Sequence, residues 1–160
     1  MRAHTHFWYR QVVDDERVRA WAAVLRVHAA VVPRLERDLA AVGMPLSWYD
    51  VLLELNSAPD RRLRMTELGA RVVLSRERVS RVVDELERAG LVRRERNPDD
   101  GRSLLAVVTD EGRERLRAAA PTYLAGIQRY FGEHVGSDAP TVATALERAV
   151  EATGKPAARS

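Results

Sequence analysis

The hydrophobic positions of the chain predict a long helix near its start. From about Asp14, apolar residues recur at alternating steps of three and four, the spacing of one helical seam. The seam comprises Val18, Trp21, Leu25, His28, Val32, Leu35, Leu39 and Val42, with His28 as its polar exception. Pro33 is expected to kink or interrupt this helix, and Gly43 to end it.

Three capping residues predict three shorter helices in the middle of the chain. Ser47 begins the first, and Asp50 is placed to complete a capping box. Thr66 begins the second, and Ser75 begins the third. The third helix carries one apolar stripe at positions i, i+3, i+4 and i+7, formed by Val79, Val82, Val83 and Leu86. Gly90 then ends it.

The chain next changes from helical to β-like periodicity. Residues 91–96 and 103–108 are rich in valine and leucine, and the turn chemistry of Pro98-Asp99-Asp100-Gly101 separates them. Residues 62–64 suit a short edge strand. Thr109 caps a further helix, in which Pro121 predicts a bend, and a last helix begins at Ser137 or Asp138.

This order of elements predicts a mainly α protein with a small β-wing, an α+β winged helix-turn-helix. The terminal helices carry more apolar surface than a small central domain needs, so we expect them to intertwine with a second copy. We divide the chain into an N-terminal dimerisation helix region (1–45), a winged helix-turn-helix DNA-binding domain (46–109), C-terminal dimerisation helices (110–153) and a disordered tail (154–160). Phe7, Trp8 and Tyr9 are expected to pack on the partner subunit.

Composition narrows the classes of function. The net charge is +3, and Lys155 is the sole lysine among 26 basic residues. Arginine excess suits nucleic-acid recognition, although genomic composition bias explains it equally well. The absence of cysteine excludes disulfides and thiolate metal sites. No apolar run approaches the roughly 20 residues of a membrane span, and residues 1–10 do not form a signal peptide. We expect a cytoplasmic protein that is not an enzyme, with no metal, cofactor or membrane association.

The third central helix and the hairpin carry the candidate chemistry. The start of the helix offers groups for a DNA groove, namely Ser75, Arg76, Arg78, Ser80 and Arg81. A solvated surface face is the competing interpretation, because Glu77, Asp84, Glu85 and Glu87 interleave with the arginines. Arg94 and Arg102 of the hairpin favour DNA contact. Asp100 either orients Arg102 or is a plain turn aspartate.

The residues from Arg64 to Gly112 resemble the MarR family of bacterial transcriptional regulators. The similarity is carried by Leu86-Glu87-Arg88-Ala89-Gly90-Leu91-Val92-Arg93-Arg94 together with Asp99-Asp100-Gly101-Arg102, and it extends over roughly residues 15–152. It implies a two-fold dimer on a pseudo-palindromic promoter site. Its wing arginine corresponds to Arg102 and the acidic partner to Asp100. Unlike peroxide-sensing members, this chain has no cysteine.

The resemblance also implies a repressor that leaves double-stranded DNA when a small, aromatic or anionic effector binds. The effector pocket would lie between the dimerisation helices and the winged helix. Candidate lining residues are Trp21, His28, Trp48, Tyr49 and Asp50, for which core packing is the competing explanation. The alternative function is a winged-helix protein-interaction module without specific DNA binding, because the charges of the recognition helix are mixed.

Overall fold

The computed structural model describes residues 15–72 and 74–154, apart from the side chain of Arg76. The predicted partner contact of Phe7, Trp8 and Tyr9 lies outside the described residues, as does the predicted tail beyond Gly154. Within the described residues, none of the helices is long and apolar enough to cross a membrane.

The elements follow the predicted order. The N-terminal half contains α1 (Glu16–Ala41), α2 (Leu46–Ser57), β1 (Arg62–Arg64), α3 (Met65–Arg71) and α4 (Arg76–Arg88). The C-terminal half contains β2 (Val92–Arg96), β3 (Leu104–Val108), α5 (Asp110–Ile127), a π-helical turn (Gln128–Gly132), α6 (Glu133–Val135) and α7 (Ala139–Glu151). The helix α1 runs through Pro33 without interruption. Gly136 takes a positive φ of 53° and separates α6 from α7.

Two predicted helix caps are confirmed and two are wrong. The Ser75 side chain accepts a hydrogen bond from the backbone N–H of Arg78 (3.3 Å), and Thr109 accepts one from Gly112 (3.0 Å). Ser47 does not cap α2, because the carbonyl of Pro45 accepts the N–H groups of Trp48 and Tyr49 and starts the helix earlier. Likewise α3 begins at Met65, before Thr66.

The three strands form an antiparallel sheet in the order β1-β3-β2. The strand β3 is central: Ala106 pairs with Leu63 on one side and with Arg94 on the other. This position explains its composition, because four of its five residues, Leu105 to Val108, are buried. The predicted edge strand at residues 62–64 is confirmed.

One hydrophobic core joins the winged helix to the long helices. It contains the predicted stripe of α4, formed by Val79, Val82, Val83 and Leu86, which packs with residues from α2 and the sheet. Leu39 of α1 and Leu116 of α5 belong to the same core. The helices α1 and α5 therefore hold the winged helix in a fixed position.

The outer parts of the terminal helices remain exposed. Leu35 and Leu39 of the predicted seam are buried, but Trp21 is 62% exposed and Leu25 is 50% exposed. Leu146 and Val150 of α7 are also exposed. Within this chain, the seam is thus buried only at Leu35 and Leu39.

Candidate nucleic-acid interface

The helix α4 turns one face to the core and the opposite face to solvent. Because an α-helix rotates 100° per residue, Arg81 and Arg88 lie opposite the buried stripe. Ser80 and Glu87 lie on the flank beside the wing, and Arg78 and Glu85 lie on the flank beside α2. The orientation of α4 therefore decides which charges are available to a ligand.

On the α2 flank, an acidic residue of α4 is used to hold the helix. The indole Nε1–H of Trp48 donates a hydrogen bond to the Glu85 carboxylate at 2.9 Å. Trp48 itself packs against the core. The Arg81–Glu85 surface pair that would typify a solvated face does not form within the described residues, since Glu85 instead anchors α4 to α2.

On the wing flank, two more acidic residues are engaged by Arg94. Its guanidinium contacts Asp84 at 2.6 Å and also binds Glu87, whose other oxygen accepts the Arg94 backbone N–H at 3.1 Å. Burial opposes the charge of Arg94, but its hydrogen bonds with Asp84 and Glu87 prevail and raise its pKa. We predicted Arg94 as a DNA contact, whereas the structure places it as a bridge between α4 and β2.

Replacing Arg94 with methionine is expected to lower the free energy of unfolding by about 1–2 kcal/mol. The Arg94 side chain is only 19% exposed, and its loss leaves two carboxylates without their partner. The effect is smaller than for a fully buried pair because Asp84 and Glu87 are half-exposed. Chemical denaturation measures the change.

The control for this prediction is Arg93→Met on the same strand. Arg93 is 55% exposed and pairs only with Glu95, its near neighbour. We expect a change within about 0.5 kcal/mol. Equal losses of stability in the two variants would show that the bridge to α4 contributes nothing.

With three acidic residues engaged, the arginines of α4 remain available. Arg78, Ser80 and Arg81 are exposed, and Arg81 forms no ion pair within 4.0 Å in the described part of the chain. Ser75 and Arg76 lie at the N-terminus of α4, where free backbone N–H groups and the helix dipole favour an anion. The outward face of α4 therefore presents donors for phosphates and base edges.

The wing turn is organised by residues that sequence reasoning did not single out. The buried Asn97 donates from its amide to the Ser103 hydroxyl at 3.1 Å and accepts the Asp99 N–H at 3.1 Å. Asp100 accepts the backbone N–H of Arg102 at 3.1 Å. Asp100 thus fixes the backbone of Arg102. The Arg102 side chain is exposed, and no hydrogen bond joins it to another residue of the described turn.

A known structure shares the overall fold of this chain. The crystal structure of Sco3205, a MarR-family transcriptional regulator from Streptomyces coelicolor in complex with DNA, matches with 34% identity and a TM-score of 0.74. The match covers 82% of this chain and 83% of Sco3205. The chain belongs to the MarR family. A sequence model of that family matches residues 42–103.

Two curated relatives of the chain come from Bacillus subtilis. The HTH-type transcriptional regulator YkoM is 38% identical over 95 residues, which cover 59% of this chain and 60% of YkoM. The HTH-type transcriptional repressor YetL is 30% identical over 93 residues, which cover 58% of this chain and 56% of YetL. This MarR-family chain therefore spans less than two thirds of the length of either relative.

A cavity of about 500 Å³ lies behind the N-terminal half of α4, and we call it the α1–α2 cavity. Of the residues predicted to line an effector pocket, His28 and Asp50 face it. Tyr49 is buried in the core, Trp48 is bonded to Glu85, and Trp21 lies on the exposed part of α1. Sequence reasoning missed several lining residues, namely Glu36, Glu54, Arg71 and Tyr123.

The α1–α2 cavity contains an unusual carboxylate. Burial, together with the neighbouring charge of Glu54, raises the pKa of Asp50 from 3.8 to about 6. Burial and the Asp50 charge also raise the pKa of Tyr123, which lines the cavity, and of Tyr49, whose ring centroid lies 4.4 Å from that of Tyr123. At neutral pH the Asp50 side chain is therefore negatively charged although it is largely removed from water.

Replacing Asp50 with asparagine is expected to raise the free energy of unfolding at pH 7.5 by about 2 kcal/mol. The folded-state pKa lies above the unfolded value, so the folded protein retains the proton between pH 3.8 and about 6. Stability from Asp50 is thus present at low pH and is lost as the pH rises through 6. The gain should vanish near pH 4, as denaturation across the pH range will show.

The matched control is Glu147→Gln, which removes an equal charge from an exposed position on α7. It should leave stability unchanged at both pH values. If Asp50→Asn instead lowered stability equally at pH 4 and pH 7.5, the Asp50 carboxylate would be a satisfied structural group.

Proposed function

We propose that this protein is a homodimeric, sequence-specific DNA-binding repressor of transcription. One observation carries the proposal: Trp48 and Arg94 engage three of the four acidic residues of α4. Glu77 is the fourth, and the exposed arginines of the helix outnumber it. The exposed Arg102 extends the basic surface along the wing. In this arrangement α4 enters a major groove while the wing follows the backbone or the adjacent minor groove. The DNA complex of Sco3205 and the repressor name of YetL support the assignment.

The proposed dimer interface is formed by the terminal helices. Trp21 and Leu25 of α1, together with Leu146 and Val150 of α7, are large exposed apolar side chains. Apolar surface of this kind favours a partner rather than water. A two-fold axis through these helices would place two copies of α4 in successive major grooves, which lie about 34–36 Å apart.

Replacing Leu25 with glutamate is expected to convert the dimer to a monomer at micromolar concentration, because the new charge would be buried against the partner. Light scattering measures the mass, and affinity for a two-half-site duplex should fall with it. Ala40→Glu places the same charge at an exposed position of α1 and should remain dimeric. A monomeric wild-type protein would contradict the proposed interface.

We further propose that a small molecule in the α1–α2 cavity releases the DNA. Arg78 supports this coupling, because it lines the cavity and also lies in the first turn of α4. A ligand that contacts Arg78 changes the position or charge environment of a proposed DNA contact. Ligand and DNA would then favour different states of Arg78, so that binding of one weakens binding of the other.

A gel shift with sheared genomic DNA tests the function cheaply. The proposal requires retardation that weakens steeply as salt is raised, because phosphate contacts release counterions. The alternative, a protein-interaction module, rested on the mixed charge of α4. The contacts of Glu85, Asp84 and Glu87 account for three of its four acidic residues. Absence of salt-sensitive retardation would favour the interaction module.

A further inference from the structure

The α1–α2 cavity has the size and lining of a small-molecule site. Its volume of about 500 Å³ is in the range typical of ligand pockets. Apolar side chains from α1, α2 and the α3–α4 connection form much of its wall, namely Val32, Leu35, Leu46, Leu53, Val72 and Leu74. Such a wall accepts an aromatic or aliphatic body.

The acidic groups of the cavity outnumber its arginines, three to two. Asp50 and Glu54 are one helical turn apart on α2, and Glu36 faces them from α1. Arg71 approaches Glu54 at 4.0 Å, and among the described residues it forms no ion pair with Asp50 within 4.0 Å. Among the described residues, no side chain donates a hydrogen bond to the Asp50 carboxylate. Asp50 is thus a carboxylate without a partner, beside an apolar wall.

A carboxylate in this state disfavours an anionic occupant. An anion would have to approach Asp50 and Glu54 at close range, where the low dielectric strengthens repulsion. A cation would instead neutralise Asp50 and form a charge-assisted hydrogen bond with it. The second arginine of the cavity, Arg78, is exposed and lies at the N-terminus of α4, so it does not neutralise Asp50 within the described contacts.

We propose that the α1–α2 cavity binds an organic cation, a protonated amine or amidine on an apolar body, with Asp50 as its counter-ion. The body lies against the apolar wall and the cationic group donates to Asp50. The Glu54 carboxylate adds to the negative potential in the cavity. Because Arg71 partly balances Glu54, we expect the site to bind a ligand with a single positive charge. Any effect of this ligand on transcription rests on the proposed function, but its binding to the protein does not.

Calorimetry on the full chain, without DNA, tests the proposal with three probes of one skeleton: 2-phenylethylamine, 2-phenylethanol and phenylacetate. At pH 7.5 the amine should bind at least about tenfold more tightly than the alcohol, and phenylacetate should bind more weakly still. In Asp50→Asn the amine should lose its advantage over the alcohol. The control Glu147→Gln should retain it.

Tighter binding of phenylacetate, no amine binding at millimolar concentration, or an unchanged amine preference in Asp50→Asn would overturn the proposal. Because these titrations contain no DNA, they separate failure of the ligand assignment from failure of the DNA-binding assignment. If the protein binds the amine but does not retard DNA, the ligand assignment of the cavity stands and the proposed DNA-binding function fails.

Discussion

Replacing Arg81 with alanine is expected to lower affinity for the cognate duplex by about 5- to 150-fold per half-site, the range for losing one bidentate arginine–guanine pair. The homodimer loses one such pair in each half. Arg81 lies opposite the buried stripe of α4, is exposed, and has no ion-pair partner among the described residues. Fold stability should not change, because Arg81 contacts none of the core. Fluorescence anisotropy with a labelled duplex measures the loss.

The matched control is Arg117→Ala, which removes one arginine from an exposed position of α5. It should leave affinity within about twofold, since it changes only the net charge. If both variants lost the same affinity, binding would depend on total charge and not on the face of α4.

The wing arginine should give a different signature from Arg81. Arg102→Ala is expected to weaken binding to all sequences alike and to lower the slope of affinity against salt by about one counterion per wing, or about two for the homodimer. Arg81→Ala should instead change the preferred bases at fixed positions. This contrast follows from the geometry, because Asp100 fixes only the backbone of Arg102 and leaves its side chain free to follow the DNA backbone.

The largest loss of stability is expected for Gly112→Ala, at roughly 3 kcal/mol. By helix propensity alone, alanine would stabilise the first turn of a helix relative to glycine. At this position a Cβ would overlap the carbonyl oxygen of Leu91 and lie 2.9 Å from Cγ2 of Val108. Both atoms belong to packed backbone or core, so neither can move cheaply.

The contact at Gly112 fixes α5 to the winged helix. Thr109 donates from its backbone to the Leu91 carbonyl at 3.1 Å and from its hydroxyl to the Gly90 carbonyl at 2.7 Å. A larger residue at 112 would push the first turn of α5 away from these carbonyls. Thermal denaturation measures the loss, and Gly101→Ala is the control because its Cβ meets no atom within 4 Å. Equal stability of wild type and Gly112→Ala would contradict this close packing.

Sequence patterns predicted the features that depend on the spacing of residues within a single helix or turn. The stripe of Val79, Val82, Val83 and Leu86 and the cap by Ser75 placed α4 correctly, because both follow from the geometry of a single helix. The turn chemistry between residues 96 and 104 likewise gave the wing. The predicted caps at Ser47 and Thr66 each lie two residues too late, since Pro45 and Arg64 already provide the extended backbone that precedes a helix.

Contacts between distant residues could not be predicted in the same way. Trp48 and Glu85 are separated by 37 positions, and no periodicity links them. Arg94 looked like a DNA contact because strand composition does not show that Asp84 and Glu87 lie across from it. These pairs matter most for function, because they engage three of the four acidic residues of α4 and leave its exposed surface with an excess of arginine.

Selection of bound duplexes from fragmented genomic DNA tests the central claim most directly, using the full wild-type chain at moderate salt. A dimer that reads DNA with two copies of α4 should enrich an inverted repeat whose half-sites are about 10 base pairs apart, centre to centre. Arg81→Ala should enrich a repeat altered at the same position in each half. Enrichment of no common sequence, or of a single half-site without a repeat, would contradict the account.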